Sequence, residues 1–417
     1  MTDERPTTAT IEAAAERLGP AVRRTPLEVS DRLSGLLGRP VLLKREDIQV
    51  CRSYKIRGAY NLIASLSPEA RMRGVICASA GNHAQGVAYS CVALGVHGRI
   101  YVPTTTPRQK RQRILAIGEG WIDLVVMGHT YDEASEAAQA DCAETNASYA
   151  HPFDDSRTIA GQGTVALELS QQHPDPLGTV VIPIGGGGLA AGMALWLRSQ
   201  CPEVRIVGAE PAGAPSMTTA LAAGGPTTLH QVDTFVDGAA VARVGELTYP
   251  IVRDLVDEVI TVSEGAICTE LLDLYQSEGI IAEPAGALAS AAARQLGDAL
   301  PPGPVACIVS GGNNDVSRYA EIVERSLLHE GLRHYFLVTF PQEPGSLRYF
   351  LDEVLTEGED IVVFEYVKKN NRETGPALVG IELATRDRFA GLADRMAKSP
   401  LQIEPVPPGS PLFSFLM

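Results

Sequence analysis

The feature that most constrains this fold is a repeated alternation of short apolar runs with longer stretches of helical apolar spacing. Each apolar run is short enough for one buried strand and ends in a polar or glycine-rich turn. The runs lie at Val41–Lys44, Gly74–Ala78, Arg99–Pro103, Leu124–Met127, Thr179–Ile184, Val204–Ala209 and Val305–Val309. Because parallel strands need a crossover connection, usually a helix, this alternation predicts parallel α/β sheets covered by helices.

Composition excludes several classes of protein. The chain has 417 residues, which predicts two or three folding units, and no apolar run approaches the length of a membrane span. Its formal net charge of −15 argues against nonspecific nucleic-acid binding, which needs clustered cations. The N-terminus lacks a basic region followed by an apolar one, and the 7 cysteines are scattered without a C-x-x-C pair. We therefore expect a soluble cytoplasmic protein with reduced thiols, no metal site, and no membrane or nucleic-acid partner.

The pattern changes after about residue 324. Apolar runs at Tyr335–Thr339, Ile361–Tyr366, Ala377–Glu382 and Leu401–Ile403 alternate with helical patterns that begin near Pro344 and Arg388. The order β-α-β-β-α-β is that of a ferredoxin-like module. We predict a separate domain over residues 324–417.

The stretch Ser53-Tyr54-Lys55-Ile56-Arg57-Gly58-Ala59 brings a lysine to a predicted helix start, with Ser53 as a candidate N-cap. Most lysines are solvated surface charges, and that is the alternative interpretation here. For Lys55 to act as a nucleophile or base its amine must be deprotonated. Burial and nearby positive charge lower a lysine pKa, and we expect Arg57 to contribute to that charge.

Gly185-Gly186-Gly187-Gly188-Leu189 lies between a predicted strand and a predicted helix. Glycines let backbone N–H groups approach an anion, and a helix N-terminus favours negative charge. The spacing matches neither the dinucleotide fingerprint nor a P-loop, so a single phosphate is favoured over a nucleotide. A simple turn remains the alternative.

Together these motifs resemble the pyridoxal-phosphate enzymes of fold type II, and most closely the threonine dehydratases. The resemblance covers most of the chain. It implies a tryptophan synthase β-like catalytic domain over residues 1–323, built from two parallel-sheet α/β subdomains, with the smaller one at about residues 45–153. The ferredoxin-like module then resembles the ACT-like regulatory domain of biosynthetic threonine dehydratases.

The resemblance also assigns roles to residues. Lys55 matches the lysine that carries pyridoxal 5′-phosphate as a Schiff base, and residues 185–189 match the phosphate cup. Asn82 would bond the cofactor's ring hydroxyl, and Ser310 its pyridine nitrogen; a helix cap and a turn serine are the respective alternatives. The substrate carboxylate would bind at Ser79, Gly81, Asn82 and His83, although His83 could instead pack beneath the site.

Five other positions refine the resemblance. Gly238 and Glu283 match segments near the cofactor and rank as supporting residues, with a structural carboxylate as the alternative for Glu283. Ala80 stands where serine racemases carry a serine base, which argues against racemisation. Glu210 resembles part of a cation loop of some relatives, but Ser216 replaces an expected aspartate and leaves cation binding there open.

The implied activity is conversion of L-threonine, and also L-serine, to a keto acid and ammonia, for isoleucine biosynthesis. The implied regulation is feedback inhibition by isoleucine, with valine as a second effector, in a homotetramer. Because fold does not fix function, a serine dehydratase, a threonine synthase and a β-replacement synthase stay open. A non-catalytic amino-acid sensor is the alternative from another class.

Overall fold

The computed structural model describes residues 5–366, 372–407 and 410–413, which form two compact units at residues 1–315 and 316–417. The predicted boundary between residues 323 and 324 falls inside a helix of the second unit. No helix in the described stretches is long and apolar enough to cross a bilayer.

The first unit contains two predominantly parallel sheets. Its strands are β1 (Leu27–Val29), β2 (Val41–Arg45), β3 (Val75–Ala78), β4 (Gly98–Val102), β5 (Ile122–Val126), β6 (Ser148–Tyr149), β7 (Thr179–Pro183), β8 (Arg205–Pro211), β9 (Glu258–Val262) and β10 (Val305–Val309). One sheet has the order β1-β2-β10-β7-β8-β9, parallel except for β1, and the other has the all-parallel order β5-β4-β3-β6. The predicted pair of parallel α/β subdomains is confirmed.

Helices connect and cover these strands. They are α1 (Thr8–Leu18), α2 (Asp31–Leu37), α3 (Lys55–Ala64), α4 (Pro68–Arg73), α5 (Asn82–Leu94), α6 (Arg108–Gly118), α7 (Tyr131–Thr145), α8 (Ser156–Gln172), α9 (Gly188–Gln200), α10 (Ser216–Ala223), α11 (Thr248–Leu255), α12 (Glu264–Glu278) and α13 (Pro284–Leu296). One buried apolar cluster lies around α8, α9, β7 and β8, and another lies around α3, α5, β3 and β4. Each sheet therefore has its own core, as layered α/β architecture requires.

The second unit has the predicted β-α-β-β-α-β order. Its elements are α14 (Tyr319–Glu330), β11 (Arg333–Pro341), α15 (Ser346–Tyr349), which continues as a π-helical turn to Val354, β12 (Glu359–Tyr366), β13 (Thr374–Leu383), α16 (Arg388–Lys398) and β14 (Gln402–Pro405). The antiparallel sheet has the order β12-β13-β11-β14. Residues 368–371 of the polar loop predicted over residues 368–375 lie outside the described residues, and β13 begins before the predicted end of that loop.

The predicted N-cap of α3 is wrong. Tyr54, not Ser53, precedes α3, and it makes no side-chain cap; the Ser53 hydroxyl is buried and has no hydrogen-bond partner among the described residues. Ser53 instead forms a bridge with Gly311, which brings the lysine motif against the loop after β10. Further elements were not predicted from the sequence, and most of them are short: α2, α4, α7, α10, α11, α14, β6 and β9.

A buried charge network fixes the helix that begins at Lys55. The Arg57 guanidinium is fully buried and donates to Glu46 at 2.7 and 2.8 Å and to Glu168 at 2.7 and 3.0 Å. Lys44, also fully buried, donates to Glu168 at 2.7 Å. Buried charges need such partners, because an unpaired buried ion is very costly. The network ties β2, α3 and α8 together.

We predict that Arg57→Met lowers the free energy of unfolding by about 3–5 kcal/mol, because it leaves Glu46 and Glu168 without their main cationic partner. Chemical denaturation of the full chain measures this. Arg243→Met is the matched control, since Arg243 is exposed and pairs with Glu246 on the surface, and we expect it to cost about 1 kcal/mol or less. Equal effects of the two variants would contradict a structural role for the buried network.

Candidate active site

Lys55 is a partly buried amine, and no carboxylate in the described part of the chain accepts a hydrogen bond from it. Its Nζ donates to the Pro152 backbone oxygen at 3.1 Å and lies 5.4 Å from the centre of the Tyr54 ring. Burial lowers the pKa of Lys55 to about 8, although the charge of Glu283 acts in the opposite direction. A larger fraction of the amine is therefore neutral near physiological pH than for a solvated lysine.

Lys44 shows what distinguishes Lys55. Both amines are in desolvating surroundings that lower their pKa values, but Lys44 donates to a carboxylate, an amide oxygen and a backbone oxygen. Three acceptors saturate an ammonium group. Lys55 keeps hydrogen-bonding capacity for another group, and is the better candidate nucleophile.

The expected contribution of Arg57 to the pKa of Lys55 is wrong. The Arg57 side chain faces Glu46 and Glu168, which neutralise its charge. Burial alone lowers the pKa of Lys55. The arginine of the motif is structural.

The glycine loop forms an unpaired backbone cradle at the start of α9. Among the described residues, none accepts a hydrogen bond from the N–H groups of Gly186, Gly187 and Gly188. A Cβ at Gly186 would lie 2.3 Å from the Phe153 ring, and Gly187 has φ +91°, a conformation that favours glycine. Free N–H groups at a helix N-terminus fit a phosphate, as the sequence predicts.

Two residues that sequence reasoning missed hold this cradle close to Lys55. Phe153 packs against the loop, and it follows Pro152, whose carbonyl accepts from Lys55. Asp154 accepts hydrogen bonds from Leu247 and Glu246 N–H groups, at 2.8 and 2.9 Å, at the start of α11. Neither residue belongs to a motif recognised in the sequence, and their distance along the chain from both motifs gave no sign of contact.

The turn before α5 offers a second set of free N–H groups. The N–H groups of Asn82, His83 and Ala84 have no hydrogen-bond acceptor among the described residues, and the Gly81 N–H donates to Ser79 Oγ at 3.3 Å. These N–H groups can receive an anion such as a carboxylate.

The His83 imidazole packs under the turn. It is 3% exposed, and its Nε2 hydrogen-bonds the Ala150 backbone oxygen at 2.7 Å. Burial lowers the pKa of His83 to about 3, so the ring is neutral. A contact of His83 with a substrate would therefore come from its backbone N–H.

The loop after β10 completes the site. The Ser310 backbone oxygen accepts from the Tyr54 N–H at 3.1 Å, and Ser310 Oγ donates its single proton to the Ala285 oxygen at 3.0 Å. A ring nitrogen that accepts from Ser310 would replace Ala285 as the recipient of that proton. Gly238 packs against Ala285 and Glu283, so both supporting residues lie at this loop.

Glu283 is 5% exposed and accepts from Asn82 Nδ2 at 2.6 Å. Burial raises the pKa of Glu283 to about 7, and the charge of Asp237 adds to the increase. A lysine and a glutamate with shifted pKa values, the glutamate bonded to an asparagine amide, are typical of a functional site.

Glu210 has a structural role in the described fold. Its carboxyl group accepts from the N–H groups of Met217 and Thr218 at 2.6 and 2.8 Å, at the start of α10. Burial raises the pKa of Glu210, and these N–H bonds oppose the increase. Across the described residues, no cluster of His, Cys, Asp and Glu is arranged to hold a metal ion.

Family comparisons agree with this geometry. Residues 18–311 match the family described as pyridoxal-phosphate dependent enzyme, and residues 324–416 match the C-terminal regulatory domain of threonine dehydratase. The chain is 56% identical over 411 residues, 98% of this chain and 96% of the relative, to L-threonine dehydratase biosynthetic IlvA of Mycobacterium tuberculosis. It is 46% identical over 404 residues, 97% of this chain and 96% of the relative, to the protein of the same name from Bacillus subtilis.

Solved structures give the same result for the catalytic fold. The processed form of threonine deaminase isoform 2 from Solanum lycopersicum superposes with a TM-score of 0.72 at 39% identity, over 76% of this chain and 92% of that one. Maize serine racemase superposes with a TM-score of 0.71 at 34% identity, over 78% and 99%. Because it matches these relatives over most of its length, and has a desolvated lysine near a backbone N–H cradle, this chain belongs to the biosynthetic threonine dehydratase family of pyridoxal-phosphate dependent enzymes.

Proposed function

We propose that this protein deaminates L-threonine to 2-oxobutanoate and ammonia with pyridoxal phosphate, as the first step toward isoleucine. The observation that carries the proposal is Lys55, a desolvated amine free of carboxylate hydrogen bonds, beside an unpaired N–H cradle that fits a phosphate. L-serine, which differs from threonine by one methyl group, is a second substrate of the same chemistry.

The residues present fit the cofactor. Lys55 would bind the aldehyde carbon of the cofactor, and residues 185–189 would bind its phosphate. Asn82 would bond its ring oxygen, and Ser310 would bond its ring nitrogen. When bound, the cofactor withdraws electrons and makes the α-proton of an amino acid acidic. A serine hydroxyl opposite the ring nitrogen, in place of a carboxylate, leaves the ring closer to neutral and favours prompt loss of a β-leaving group.

The chain's own groups then orient the substrate and move the proton. The N–H groups at the start of α5 bind the substrate carboxylate. The neutral amine of Lys55 accepts the α-proton, because its lowered pKa provides a base near physiological pH. The β-hydroxyl then leaves with a proton as water, and the resulting enamine tautomerises to an imine, which a second water hydrolyses to 2-oxobutanoate and ammonia.

Regulation belongs to the second unit. It contains a cavity of ≈730 Å³ that Gly331, His334, Arg386, Asp387, Phe389 and Ala390 line. The His334 and Phe389 rings stack at 4.0 Å, and among the described residues the Arg386 guanidinium has no hydrogen-bond or ion-pair partner. A cation beside an apolar surface suits an aliphatic amino acid, and we propose isoleucine, with valine as a second effector. A homotetramer and a cytoplasmic location complete the proposal.

We predict that the purified full chain with pyridoxal phosphate shows the visible absorbance of a lysine-bound cofactor and forms 2-oxobutanoate from threonine. Lys55→Ala should lose the absorbance and about 10³-fold or more in kcat, since nucleophile and base are removed together. Lys398→Ala, at an exposed surface pair, is the matched control and should leave both unchanged.

The same assay separates the alternative activities. A rate with serine that far exceeds the rate with threonine would favour a serine dehydratase. Product that forms only with an added sulfur nucleophile would favour a β-replacement synthase. Absence of the visible absorbance would favour an amino-acid sensor and contradict the proposal.

We predict that Gly187→Ala weakens pyridoxal phosphate binding by about tenfold or more, because strained backbone at positive φ costs about 1–3 kcal/mol. Its Cβ would also lie 2.8 Å from Thr248 Oγ1. Titration of the dialysed protein with the cofactor measures the dissociation constant. Gly35→Ala is the control, since its Cβ meets open space in α2, and an equal loss there would contradict a specific cradle.

We predict that a chain ending at Asp315 keeps threonine turnover but loses inhibition by isoleucine, because the proposed effector site lies in the second unit. Arg386→Ala in the full chain should raise the isoleucine concentration for half inhibition by about tenfold, the loss of one charged hydrogen bond. Lys398→Ala should not change it. Inhibition that persists in the truncated chain would rule out this location.

A further inference from the structure

Three side chains form a hydrogen-bonded relay next to Lys55. Asn313 Nδ2 donates to the Cys51 backbone oxygen at 2.8 Å and to Asn82 Oδ1 at 2.7 Å. Asn82 Nδ2 donates to Glu283 Oε1 at 2.6 Å. We call Asn313, Asn82 and Glu283 the amide relay.

The relay has a fixed direction. A backbone carbonyl only accepts, so Cys51 requires the nitrogen of Asn313 to face it. Both hydrogens of that nitrogen are then used, and Asn82 must present its oxygen to Asn313. If the Asn82 amide were flipped, its nitrogen would face the Asn313 nitrogen, and its oxygen would face the Glu283 carboxylate. One N–H of Asn82 is thus left unshared.

We propose that Asn313 and Glu283 are positioning residues that hold the Asn82 amide so that it offers an N–H, not an oxygen, to the ring oxygen of the cofactor. This inference rests on the proposed function, in which Asn82 bonds that ring oxygen. A fixed donor stabilises the ionised ring oxygen over its protonated form.

The surroundings of Glu283 are built around its carboxyl group. A Cβ at Gly311 would lie 2.2 Å from Glu283 Oε1, so only glycine allows the carboxyl group to reach Asn82. The backbone N–H of Asn313 also bonds this carboxyl group, which links the two ends of the relay. A carboxyl group with no positioning role would not need this close approach.

Charged groups on several elements face Glu283. Asp237 opposes its ionisation and Lys110 favours it, and these two form an ion pair at 2.6 Å. The charge of Glu283 in turn opposes the lowering of the Lys55 pKa by burial and adds to the raising of the Tyr54 pKa by burial. With its own pKa near 7, the carboxyl group changes charge within the range where the enzyme would be assayed.

The test is the ratio of visible to near-ultraviolet absorbance of the lysine-bound cofactor, which reports the ionisation of its ring oxygen, together with the cofactor dissociation constant. Asn313→Ala should lower the ratio and weaken cofactor binding by about tenfold, because the Asn82 amide is free to rotate. In an Asn82→Ala background, Asn313→Ala should have no further effect on either quantity.

Glu283→Gln keeps an oxygen for Asn82 but cannot titrate. It should retain cofactor binding better than Glu283→Ala and lose the step near pH 7 in the absorbance ratio. This variant keeps the inference testable if Asn313→Ala does not fold. Asn61→Ala is the matched control, because it removes a buried amide with two hydrogen bonds outside the relay, to Arg17 and Arg157, and it should change neither readout.

Additive effects of Asn313→Ala and Asn82→Ala, or a ratio that Asn313→Ala leaves unchanged, would overturn the relay while the proposed function stands. A wild-type protein without the visible absorbance would overturn the proposed function, and the relay with it.

Discussion

The desolvation of one unsatisfied amine is the constraint on which the rest of this structure depends. Desolvation disfavours the charged form of any lysine. The buried cations Arg57 and Lys44 are stabilised by carboxylates. Arg57 and Lys44 share Glu168, and Arg57 also bonds Glu46. Within the described residues, the hydrogen-bond acceptor of Lys55 is a backbone oxygen, which offsets less of the cost of its charge than a carboxylate would.

Backbone geometry supplies the complementary part of the site. Free N–H groups occur at the starts of α9 and α5, the two positions where the resemblance places a phosphate and a carboxylate. Both helices follow parallel strands, β7 and β3, in different sheets, so each subdomain contributes one of the two proposed anion sites. The glycines at the first site are required because Phe153 and Thr248 occupy the space where side chains would lie.

Patterns local in the sequence predicted most of the fold and named the main candidate residues of the site. Apolar runs and helical spacing gave the parallel sheets and the ferredoxin-like module, and the lysine and glycine motifs gave Lys55 and the cradle. Contacts between distant segments could not be predicted. Asn313 and Asn82 are 231 residues apart, and Pro152 is 97 residues from Lys55, so their hydrogen bonds depend on the packing of both sheets. Ser53 and Arg57 were misjudged for the same reason, since tertiary partners at Gly311 and Glu168 override their local roles.

The most direct test of the central claim is to identify the lysine that carries the cofactor. Lysine is rare here, which makes peptide mapping decisive; the six are Lys44, Lys55, Lys110, Lys368, Lys369 and Lys398. Borohydride reduction of the holoenzyme makes the linkage permanent, and mass spectrometry of its peptides then locates it. The account predicts a reduced pyridoxyl group on Lys55 alone. Modification of Lys44 or of any other lysine in its place, or no modification, would contradict it.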